Sequence, residues 1–118
     1  MGETTEELEH LLHFCRTQAK ASPCDNLRLI LATKRGDVRL IEVSEDHEFR
    51  RVLYEALCAE FIPLGLLGFE ESEGEIQARS LLFPWHSEDD RLSGLFDLLC
   101  DQAVRNVEKE FDIRRRVI

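Results

Sequence analysis

Four cysteines, four histidines and a run of acids are the side chains that could carry chemistry, and their spacing limits what they could do. His10 and His13 stand three residues apart on a helical stretch, with Cys15 close by. Helical histidine pairs do bind zinc, but a site needs further ligands. Cys15 falls on the apolar stripe, away from the pair, so a solvated flank is expected there and no metal. Cys58 and Cys100 are the candidate nucleophiles, with His47 or His86 as base. A reactive thiol needs an activating neighbour, whereas a buried cysteine behaves as a small apolar side chain. His86-Ser87-Glu88-Asp89-Asp90 gathers residue types that helix capping and the helix dipole account for. Glu70, Glu71, Glu73 and Glu75 lack the alternating oxygen ligands of a calcium loop and read as a solvated turn. Gly65 and Gly68 have no phosphate-binding sequel, and are expected to mark a bulge or a close approach of another backbone. Arg35-Gly36-Asp37 spells an integrin-binding tripeptide, but a glycine in so short a connection is first a hairpin turn. No catalytic residue, metal ligand or cofactor site is assigned.

The elements that would position these residues are legible from periodicity. Leu8, Leu11, Leu12, Cys15 and Ala19 form one helical stripe, opened by Thr4 or Thr5 as cap and ended at Ser22-Pro23. Leu27 to Lys34 and Val38 to Val43 read as a half-buried hairpin, with Leu27, Leu29 and Leu31 on one face and Arg28, Ile30, Ala32 and Lys34 on the other. Ser44 starts a second helix, buried through Phe49, Val52, Leu53, Ala56 and Leu57. A second hairpin follows: Ile62 to Phe69, an acidic turn through Gly74, and a return strand from Ile76 to Trp85. The last helix is capped by Ser87, with Asp90 completing a short capping box. It carries Leu92, Leu95, Phe96, Leu99, Ala103, Val107 and Phe111, and Arg114, Arg115 and Arg116 follow near its negative end. The expected fold is therefore α+β, a single domain over 1–118 in the order α-β-β-α-β-β-α. Its four strands make a mainly antiparallel sheet with helices mainly on one face.

That arrangement makes the return strand informative. Gln77, Arg79, Leu81, Phe83 and Trp85 alternate onto one side, so the side turns apolar toward its end. With helices on the opposite face, Leu81, Phe83 and Trp85 would be left uncovered. Each would gain about 1.5–3 kcal/mol by leaving water. Together with Leu67 and Phe69 of the preceding strand they are the expected partner-binding surface, and substituting Trp85 and Phe83 together would release a monomer. The alternative is that the strand coils at its end and the trio closes the core.

From Phe49 onward the order of features resembles the secretion-chaperone-like fold of type III secretion chaperones and some bacterial regulators. The matching run is Val52 to Phe69, with its Leu64-Gly65-Leu66-Leu67-Gly68 segment, then Glu73-Gly74-Glu75-Ile76 and the helix from Ser87. The family has three strands between its first two helices; here there are two. The element order also resembles the roadblock domain, a dimeric regulator of small GTPases. Both resemblances imply small domains that work by binding protein, commonly as homodimers.

Net charge is −9. That disfavours nucleic acid, which wants a basic footprint, and an anionic membrane surface. The acidic start has no signal-peptide core and no long apolar run follows, so a cytoplasmic location with reduced thiols is expected. The expected function is a non-enzymatic protein-binding module, a homodimeric chaperone-like or regulatory adaptor whose partner is itself or another protein. The alternatives are a thiol-dependent enzyme using Cys58 or Cys100 and a roadblock-like regulator.

Overall fold

The computed structural model describes residues 2–22, 24, 26–108 and 113–117, without the side chains of residues 2–4, 72, 108 and 113–117. In chain order the elements are α1 (Gly2–Ala21), β1 (Asn26–Ala32), β2 (Val38–Glu42), α2 (His47–Cys58), β3 (Ile62–Ser72), β4 (Glu75–Leu82), α3 (Asp90–Glu108) and β5 (Ile113–Val117). A 3₁₀ turn, Pro84–His86, links β4 to α3. The first seven elements follow the expected α-β-β-α-β-β-α order. Their strands form an antiparallel sheet in the order β2-β1-β3-β4, which β5 extends by pairing parallel to β4.

β5 is a correction. Residues 114–116 were expected just past a helix end; instead their backbone pairs with Gln77, Ala78 and Arg79. Parallel neighbours need a crossover connection, and α3 supplies it. Phe111, expected on the last helix, lies outside the described residues.

Two cores share the sheet. α1 and α2 cover one face: Leu8, Leu11, Leu12 and Cys15 of α1 and Phe49, Leu53 and Ala56 of α2 pack on Leu27, Leu29, Leu31 and Leu66. α3 covers the other face with Phe96, Cys100 and Val104 against Ile30, Ala32, Leu64, Leu67 and Ala78. Two helices of three thus lie on one face, but the third closes the side that was expected to stay open. The centre of the α3 stripe is Phe96-Cys100-Val104, and Leu92, Leu95 and Leu99 flank it. β1, expected to be half buried, is one of the two inner strands of the antiparallel part, and from Leu29 to Ala32 it is buried on both faces.

The glycines of β3 do what their spacing implied. The β1–β3 register pairs Ile30 with Gly65 but Leu31 with Pro63, so Leu64 is an extra residue. This bulge turns Leu64 and Gly65 toward the same face. A Cβ on Gly65 would lie 2.4 Å from Leu81 O and 2.6 Å from the Phe96 ring, so glycine lets α3 seat on the sheet. On the other face a Cβ on Gly68 would meet Cys24 at 2.8 Å.

Termini and turns correct several sequence boundaries. α1 starts at Gly2, so Thr4 and Thr5 lie within its first turns rather than before it. α2 starts at His47 after Asp46; the Ser44 hydroxyl accepts from Asp46 N–H in the turn before the helix. α3 is capped by Asp89, whose Oδ1 accepts from the N–H of Arg91 (3.0 Å) and Leu92 (3.2 Å), and Ser87 stands two residues outside. The tripeptide Arg35-Gly36-Asp37 is a hairpin turn, with Gly36 at φ 96°.

Candidate partner-binding groove

The β4 ladder ends at Leu82, because Pro84 holds Phe83 extended and cannot continue the strand. Phe83 N–H bonds to Leu64 O at 3.0 Å, and the chain then folds back in the 3₁₀ turn. This is the coiled alternative, and it closes the core: Phe83 has no exposure and belongs to the cluster beneath α1. Trp85 stacks on the Phe83 ring (4.6 Å between centroids, 19° between planes) and meets Phe14 of α1 edge-on at 5.4 Å. The indole is thus held from two sides yet remains 49% exposed.

The five residues expected to bind a partner do not form one surface. Leu81 and Phe83 pack into the α1–α2 core; Leu67, 3% exposed, and Phe69 pack into the α3 core. Phe83 and Leu67 have no surface left to offer, since α1 roofs one and α3 the other. Of the five, Trp85 alone is exposed.

Trp85 forms a wall of a hollow of about 570 Å³ between α1 and the 3₁₀ turn, with Leu11, Ile62 and Pro63 as its apolar lining and Glu6, Glu7, His10 and His86 as its polar groups. Glu6 and His10, like Glu7 and Leu11, are four residues apart, which places each pair on adjacent turns of one helix flank. His86 is fixed by a 2.8 Å bond from Nε2 to Pro63 O. A carbonyl oxygen only accepts, so Nε2 carries the proton and donates it. Sequence reasoning singled out Trp85 and missed Glu6, Glu7, Leu11, Pro63 and His86 in this role. The usable signal was Pro84 at the end of an apolar run, which turns the next aromatic off the sheet.

The thiols are dispersed. Cys15 and Cys100 have no exposure and Cys24 is buried; none of the four cysteines is in a disulfide. Burial pushes the Cys15 thiol up to about 12. Cys58 is exposed, and its side chain one turn away raises the Tyr54 hydroxyl above its ordinary value. His47 and Cys58 occupy opposite ends of α2, eleven residues or about 16 Å apart along the axis. His86 is tied to Pro63 while Cys100 lies in the α3 core, across the sheet from α1. His47 is therefore out of reach of Cys58, and Cys100 is buried among the α3 core residues. His10 and His13 are both exposed, and among the described residues no three His, Cys, Asp or Glu side chains converge as metal ligands. In the acidic run Glu70 departs from a solvated turn: its Oε2 lies 2.7 Å from Arg79 Nη2, with both side chains about four-fifths buried.

No known family's pattern matches this chain, and neither does any curated protein or solved structure. Among the described residues no helix is long and apolar enough to cross a membrane.

Proposed function

We propose that the chain is a non-enzymatic protein-binding module, of the adaptor or chaperone kind, whose α1–Trp85 groove takes a basic segment of another protein. The observation that carries this reading is a half-exposed indole, braced by Phe83 and Phe14, beside an apolar lining and two carboxylates. An aromatic face attracts a lysine or arginine head group, Glu6 and Glu7 complement its charge, and Leu11, Ile62 and Pro63 accept an apolar neighbour. The −9 charge of the chain draws the same kind of partner by long-range attraction. Four cysteines outside any disulfide, three of them buried, support a reducing, cytoplasmic setting.

Trp85 is the chain's single tryptophan, so its fluorescence reports on the groove alone. A short peptide alternating lysine and leucine should give a saturable change that weakens with added salt. The same peptide with glutamate for lysine should give none. Glu6→Lys with Glu7→Lys should abolish the response to the basic peptide. Equal responses to the two peptides, or none to either, would contradict the reading.

A further inference from the structure

β2 is an outer strand of the sheet, next to β1. The bonds from Val43 N–H to Leu27 O (2.8 Å) and from Thr33 N–H to Asp37 O (2.9 Å) fix which residues of this ladder turn their backbone toward β1: the odd-numbered ones. Alternate residues of an antiparallel ladder turn theirs away, so the N–H and C=O groups of Val38 and Leu40 point out from the sheet. The side chains of these two are exposed as well, by 45% and 48%. They lie on the face where their β1 neighbours, Ala32 and Ile30, are buried beneath α3. Val-Arg-Leu-Ile-Glu, with neither proline nor lysine, is a strand that can template another.

We infer that β2 pairs antiparallel with β2 of a second copy, about a twofold axis through Leu40. The register follows from parity together with full overlap of the five residues. A twofold axis perpendicular to the sheet keeps the two copies' faces aligned, so paired residue numbers sum to an even value, and outward-pointing groups must meet one another. Centring on Leu40 satisfies both conditions: Leu40 meets its own counterpart, Val38 meets Glu42, and Arg39 meets Ile41. Charge opposes a second copy least here. Residues 26–42 hold four basic and two acidic side chains in a chain of net −9, so the copies meet away from their acidic excess. Arg39 lies over its own Phe61 ring at 4.6 Å and lines a hollow of about 440 Å³ with Ile41, Asp46 and Glu48; the same register sets it opposite the other copy's Ile41, at the edge of that copy's acidic hollow. A five-residue pairing is small beside the roughly 800 Å² per partner of a standard interface, so a dissociation constant on the order of micromolar is expected.

This inference is independent of the groove, and so is its test. Sedimentation of the full chain from about 1 to 500 µM should show the mass rising from 13.7 kDa toward twice that value. Leu40→Pro removes an outward donor without touching the β1 ladder, and Leu40→Lys sets like charges against each other on the axis. Both variants should stay at 13.7 kDa, while Trp85→Ala should still dimerise. Should Leu40→Pro fail to fold, Leu40→Lys, at an exposed position, decides alone. In a Cys58→Ser background with added oxidant, Leu40→Cys should form a covalent dimer, because directly opposed residues of this kind lie about 5.5 Å apart. Val38→Cys, facing Glu42, should not. A wild type that remains monomeric throughout, a Leu40→Lys variant that still dimerises, or equal cross-linking of both cysteine variants would overturn the pairing.

Discussion

Phe83 and Trp85 are two residues apart, yet one is core and the other is surface. Period-2 alternation assigns both to one face and cannot register the proline between them, which is why they read as a single patch in the sequence. Truncating Phe83 should therefore cost about 3–5 kcal/mol, as for other buried aromatics, and Phe83→Ser should unfold the protein rather than separate two copies. A urea titration of that variant measures this directly. The thiols differ in the same manner. In the native protein one of four should react quickly with a thiol reagent, and mass mapping should place it at Cys58, the exposed one. Cys15, raised from 9.0 to about 12 by burial, gives a pH signature. Its protonated form is favoured by folding, so its contribution is complete below pH 9 and is lost as the pH rises toward 12. Wild type should accordingly lose more stability than Cys15→Ala over that alkaline range in denaturant titrations at successive pH values.

Element boundaries were less legible than element faces. The stripes of α1 and α2 stand where periodicity put them, because a buried helix face repeats over several turns and leaves many residues to read. A cap is one side chain, and Ser87, Asp89 and Asp90 are all chemically able to serve. The structure selects Asp89, so Asp89→Ala should lower stability by about 1 kcal/mol, while Ser87→Ala should leave the thermal midpoint nearly unchanged. The end of α2 was also beyond sequence reading, since it uses a residue that seldom serves there. Glu60 sits at φ 66°, with its N–H on Leu57 O (3.1 Å) and the next N–H, of Phe61, on Ala56 O (3.0 Å). That is a Schellman end with glutamate where glycine is usual. Removing the left-handed penalty with Glu60→Gly should raise stability by roughly 0.5–1 kcal/mol, after the entropy glycine costs in the unfolded chain.

For the molecule as a whole, α3 and β5 change what the sheet can do. Alternation along β1 put Leu27, Leu29 and Leu31 on one side and mixed Ile30 and Ala32 with Arg28 and Lys34 on the other, so the strand read as half buried, whereas α3 forms a second layer over that mixed face. The sequence could not assign α3 to that layer, because an amphipathic helix fits either face of a sheet. β5 was illegible for a different reason: three consecutive arginines lack the alternation of a half-buried strand. With α1 and α2 on one face and α3 on the other, the chain does not depend on a partner to hide its sheet, and both proposals rest on exposed apolar residues instead, Trp85 in the groove and Val38 and Leu40 at the edge. The groove is the central claim. Its most direct test is a map of backbone and indole amide shifts as the lysine–leucine peptide is added to isotope-labelled protein. The expected result is perturbation of the Trp85 indole together with Glu6, Glu7, His10 and His86, and little change along β2. Shifts confined to β2 or α2, with the indole unmoved, would contradict it.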